Sequence, residues 1–252
     1  MNSNLVTAPS WRPDARFWVI HLFVPLLCAA ALLTLLEEST IDLWLADRWF
    51  ALEGYGWTLR DHWLTYDVIH HHGKQMLIGV GLLLMCLIAL SYRFAALRRW
   101  RAPMTYLLTG MAVLPALIAY FKQYSPVPCP WDLARYGGDT LYQHSLSYRF
   151  GPAESGHCFP AGHASGGFAL LTLYFSAYRY TTRRALFLLP GLLVGTVFAL
   201  GQQARGAHFV SHDLWTMSLC WFGALGLFLL FRPHRWPGPP ARPGHADRGK
   251  RS

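Results

Sequence analysis

The sequence predicts an all-α, polytopic membrane protein, with six transmembrane helices and two long outer loops. Three observations predict it. Of 252 residues, 53% are hydrophobic and only 14% charged, too apolar for an ordinary soluble domain. Six apolar runs approach the roughly 20 residues a helix needs to cross a bilayer. Lys and Arg gather at alternate ends of those runs. In hydrocarbon each backbone group must pair within its own segment, which favours helices over open strands.

Residues 1–16 form a polar N-terminal segment carrying Arg12 and Arg16. The first run covers 17–36. A basic stretch before an apolar run is also the pattern of a signal peptide, but Glu37-Glu38-Ser39-Thr40 follows rather than a small-x-small cleavage site. An uncleaved first helix is expected. The outer loop 37–75 contains Ile41-Asp42-Leu43-Trp44-Leu45-Ala46-Asp47-Arg48-Trp49-Phe50, whose mixed aromatic and aliphatic spacing predicts an interfacial helix. The loop closes on Ile69-His70-His71-His72-Gly73-Lys74. Neighbouring residues on a helix point about 100° apart, so three adjacent histidines offer a metal no shared face.

Runs 76–92 and 104–121 come next, separated by Arg93, Arg98, Arg99 and Arg101. The second outer loop, 122–163, is rich in Pro, Gly and Tyr. The fourth run, 164–178, is short and borrows length from the Pro160 end. Arg179, Arg183 and Arg184 lead into runs 185–201 and 214–231. Residues 17–231 are read as one membrane domain. The Pro-, Gly- and Arg-rich segment 232–252 is expected to be a disordered cytoplasmic tail.

With the N-terminus inside, inner segments hold 15 Lys and Arg and outer segments 7. Both termini are therefore expected in the cytoplasm, and in a bacterial inner membrane the outer loops face the periplasm. The net charge of +9 reflects this topology rather than a nucleic-acid partner, because no basic stripe is interleaved with exposed aromatics. Cys28, Cys86 and Cys220 lie in apolar runs and read as packing residues. Cys129 and Cys158 share an outer loop; outside the cytoplasm such a pair can be bridged, but sequence gives no distance. Nothing in the sequence sets an oligomeric state.

The chemistry-bearing residues collect at one depth. Lys122 ends the third run. Phe159-Pro160-Ala161-Gly162-His163 opens the fourth, with Pro160 suited to a helix's first turn. Arg205-Gly206-Ala207-His208-Phe209-Val210-Ser211-His212-Asp213 separates the last two. Arg205 and His208 share a face if helical, as do His208 and His212. Lys and Arg for negative charge, one histidine as nucleophile and another as proton donor are the parts that metal-free phosphoryl transfer needs. His21, His62, His144 and His157 read as interfacial residues. A haem site would need facing histidines within the bilayer, and only His21 lies in an apolar run.

Lys122, then Pro160-Ala161-Gly162-His163, then the Arg205, His208 and His212 cluster resemble the three signature motifs of the phosphatidic-acid-phosphatase type 2 (PAP2) superfamily. The resemblance covers roughly residues 70–231. Cys129-Pro130-Trp131-Asp132 and His208 to His212 look like a bacterial branch of it. What the resemblance implies is a six-helix membrane phosphatase acting on a lipid phosphate or diphosphate at the outer face, with no metal and no cofactor. It implies His208 as the nucleophile, His163 as the acid, and Lys122 and the Gly162 N–H as phosphate binders. Four positions depart from the family pattern. The first-motif arginine falls on Cys129, the second-motif serine on Ala161, the third-motif arginine on Gln202 and the acid four residues after the nucleophile on His212. Arg205, one turn nearer, stands as the substitute for that third-motif arginine, and Lys74 as a further cation. The residue that orients His208 is either His212 or Asp213.

Overall fold

The computed structural model describes residues 12–145 and 156–236. Of the tail 232–252 expected to be disordered, the start is ordered, with a 3₁₀ turn at Pro233–Arg235, and 237–252 lie outside the described residues. The described chain is helical, and its one strand-like feature is an isolated bridge between Leu133 and Thr140. Five helices are long and apolar enough to cross a membrane: α1 (Ala15–Glu37), α3 (Leu64–Arg93), α4 (Arg101–Lys122), α6 (Arg184–Ala204) and α7 (Val210–Leu230). The helix expected at the interface, α2 (Ile41–Leu52), lies between α1 and α3 in the chain, with Trp44 exposed.

The sixth expected span is shorter than the other five. Its α5 is built from Gly162–Phe168, a 3₁₀ turn Ala169–Leu171, and Thr172–Ala177. The 3₁₀ turn rises more per residue than an α-helix, so α5 covers roughly 25 Å. It is largely buried by protein, and its glycines permit close approach. A Cβ on Gly167 would stand 2.5 Å from the Gly195 backbone of α6.

The basic loops meet at one end of the bundle. Tyr180 donates to the Arg99 carbonyl and Arg179 to the Pro233 carbonyl. Phe17 packs edge-on to Tyr178, and Trp236 turns back onto Tyr106. Below this end, the Tyr106 hydroxyl donates to the Ala224 carbonyl at 2.8 Å, tying α4 to α7. His21 is a core residue rather than an interfacial one. Its Nδ1 meets the Phe17 carbonyl and its Nε2 the Tyr174 hydroxyl, each at 2.7 Å.

Candidate active site

The opposite end of the bundle holds the motif residues. Lys122 is the last residue of α4. The loop after it is fixed to the start of α5 by a disulfide between Cys129 and Cys158, whose Cα atoms are 5.2 Å apart. The Cys158 N–H donates to the Val127 carbonyl in the same crossing. The position expected of the first-motif arginine is thus a covalent tie between the first and second motifs. Across the bundle, the Ala161 N–H donates to the Thr216 hydroxyl at 2.8 Å, anchoring the turn before α5 on α7.

Gly162 and His163 are the first two residues of α5. A Cβ at Gly162 would lie 3.7 Å from Lys122 Nζ, so the lysine head stands over the bare glycine. His163 Nε2 lies 3.2 Å from the Ile69 carbonyl, and its ring stacks on Phe198. The residues around Ile69 form a π-helical stretch, Leu64–His72, which opens α3.

These groups share one cavity of about 730 Å³. Its outer end is lined by His70, Lys74, Lys122, Gly162 and His163, and no Asp or Glu lines it among the described residues. It continues between α3 and α4 past Leu77, Gly81, Pro115 and Met111 to Leu108. Lys122 and Leu108 are fourteen residues apart on one helix, about 21 Å. A leaflet's hydrocarbon is about 15 Å deep.

The third motif departs from the expected helical geometry. α6 ends at Ala204, Gly206 turns left-handed at φ +68°, and α7 starts only at Val210. Arg205 and His208 therefore share no helix, and neither do His208 and His212. A side chain at Gly206 would strike the Trp57 ring. The Trp131 N–H donates to the Gly206 carbonyl at 3.0 Å, so the Cys-Pro-Trp-Asp segment braces this turn.

His208 is buried and stands outside the cavity lining. Burial, followed by the charge of Lys122 and then His212, holds its pKa well below the ordinary value. This favours the neutral ring. Its Nδ1 has no hydrogen-bond partner among the described residues.

Neither candidate for orienting His208 does so here. Asp213 Oδ2 accepts from Gln203 Nε2 at 2.7 Å, and the residue lines a separate cavity beside Trp44 and Arg48. His212 meets His208 edge-on at 5.8 Å between ring centroids, without a hydrogen bond, and packs against Phe159 and Phe209. The cause is the helix start: residues four and five after His208 belong to α7, while His208 does not.

Arg205 caps α6. Its Nε donates to the Arg60 carbonyl at 2.7 Å and its Nη1 to Gln202 Oε1 at 3.2 Å. Gln202 in turn meets His70. The sequence reading missed both residues. The signal was the i, i+4 spacing of His70 and Lys74, which puts both on the cavity face of α3. Of the other two histidines, His71 pairs with Gln75 on the exposed side.

A family model described as PAP2 superfamily matches residues 103–236. Comparison with curated proteins and with solved structures gave no match.

Proposed function

This chain belongs to the PAP2 superfamily, and on that premise we propose that it hydrolyses a lipid phosphate or diphosphate through a phosphohistidine on His208. The observation that carries this reading is the cavity: a cationic, acid-free outer end continuous with an apolar groove deeper than one leaflet. A phosphorylated head group suits the first part and a lipid chain the second. Undecaprenyl diphosphate, phosphatidylglycerol phosphate and lipid A 1-phosphate all have that form.

Lys122, Lys74 and the Gly162 backbone hold the phosphoryl oxygens. His208 lies outside the cavity lining but within reach of the Lys122 charge, so a phosphoryl group on Lys122 is brought toward it; its neutral nitrogen attacks phosphorus as the bond to the lipid oxygen breaks. His163 gives that oxygen its proton. In the imidazolium form, His163 keeps Nε2–H on the Ile69 carbonyl and offers Nδ1–H to the leaving group. Water then attacks the phosphohistidine, His163 takes the water's proton, and inorganic phosphate leaves. Lipid in place of water gives phosphotransfer through the same intermediate. No step requires a metal.

The site lies at the end of the bundle away from the clustered arginines, which supports a periplasmic site and cytoplasmic termini in a bacterial inner membrane. The test is phosphate release from these lipids by the full chain in detergent with EDTA present. Release by wild type and none by His208→Ala is expected. No release from any of the lipids, or equal release by the variant, overturns the reading.

A further inference from the structure

The histidine triplet supplies a residue that the mechanism above does not use. Of the three, only His70 lines the cavity. Its ring centroid is 4.4 Å from that of His163, and Lys74 follows one turn later on α3. It projects from the π-helical stretch Leu64–His72, a local geometry often found at functional sites.

The hydrogen bonds on its far side fix which nitrogen carries its proton. Arg205 Nη1 can only donate, and Gln202 Oε1 accepts from it at 3.2 Å. That contact sets the orientation of the Gln202 amide, whose Nε2 lies 2.6 Å from His70 Nδ1. An amide NH₂ only donates, so His70 Nδ1 accepts. In the neutral ring the proton is then on Nε2. No protein group among the described residues accepts from that nitrogen.

The donor stands where donors are short. A disulfide occupies Cys129 and a methyl group Ala161, while Gln202 bonds to His70 and Arg205. We propose that His70 is a phosphate-binding residue, donating Nε2–H to a phosphoryl oxygen, and that Gln202 and Arg205 are its positioning residues. The proposal rests on the cavity being a phosphate site, and it concerns binding rather than turnover.

The test titrates inorganic phosphate into the full chain in detergent, with ¹⁵N-labelled histidine read by NMR. Wild type should show His70 as the Nε2–H tautomer, with the Nε2 signal moving as phosphate binds. His70→Ala should raise the phosphate Kd about tenfold to a hundredfold, while His71→Ala leaves it unchanged. Gln202→Leu should raise Kd severalfold and mix the His70 tautomers, although it removes no group that touches phosphate. An Nδ1–H tautomer in wild type, an unchanged Kd in His70→Ala, or no phosphate binding by wild type overturns the proposal. The tautomer is read on wild type, so it stands even if a variant fails to fold. Normal phosphate binding without lipid hydrolysis overturns the phosphatase reading alone.

Discussion

Gln203 Nε2 donates to Asp213 Oδ2 at 2.7 Å, and this bond engages the carboxylate five residues after His208. Gln203 sits in the last turn of α6 and Asp213 in the first turn of α7, so the pair clamps the two helices across the Gly206 turn. This contact predicts a structural role for Asp213, distinct from that of His208 in what a substitution should do.

Asp213→Asn keeps an oxygen for the Gln203 amide and should leave kcat within about threefold of wild type. Asp213→Ala leaves that amide buried without an acceptor and should cost about 1–3 kcal/mol of stability. Steady-state kinetics and thermal melting in detergent read the two effects. A loss of several orders of magnitude in kcat for Asp213→Asn would restore it as the orienting acid.

Two glycines of α5 should respond in opposite ways. A methyl group on Gly162 meets Lys122 at ordinary contact distances of 3.5 and 3.7 Å, so Gly162→Ala should melt like wild type. It would crowd the phosphate under the lysine and lower kcat/KM about tenfold or more. A methyl on Gly167 stands 2.5 Å from the Gly195 backbone, so Gly167→Ala should push α5 off α6 and lower the melting temperature.

Cys129 and Cys158 close a loop 29 residues in separation. The double variant Cys129→Ser, Cys158→Ser should lose about 3 kcal/mol of stability. Its activity should fall as well, because Cys158 directly precedes the segment that carries Gly162 and His163. Thiol titration of the denatured, unreduced protein should count three, from Cys28, Cys86 and Cys220. A count of five would remove the bridge.

His208 makes stability depend on pH. Its folded-state pKa lies below the unfolded value near 6.5, so between the two the unfolded chain binds more protons. Stability is therefore full above about pH 6.5 and falls as the medium is acidified below it. His208→Gln removes this contribution, so its melting temperature should fall less than that of wild type between pH 7.5 and 5.5. Parallel curves for the two proteins would contradict the burial of a neutral ring.

The sequence carries much of the fold because hydropathy and loop charge are properties of short segments. Runs of apolar residues located five spanning helices, and the run from residue 164 located α5 although its length fell short. That Lys122, Gly162 and His163 would come together was legible because each sits next to a helix end, and helix ends are marked by a change in hydropathy. The third motif was read less well, since the i, i+4 rule applied to His208 and His212 presumes one helix, and a single left-handed Gly206 removes that premise.

What the sequence by itself determined is the membrane class, and four residues that the structure brings to one cavity: Lys74, Lys122, Gly162 and His163. What only the tertiary structure decided is which polar groups meet. His70 and Gln202 are 132 residues apart, Cys129 and Cys158 are 29, and Gln203 reaches Asp213 over a turn of irregular backbone. The physical reason is that periodicity orients a side chain relative to its own helix axis. A hydrogen bond also needs the position and rotation of the helix that faces it, and these are set by packing such as that of Gly167 on Gly195.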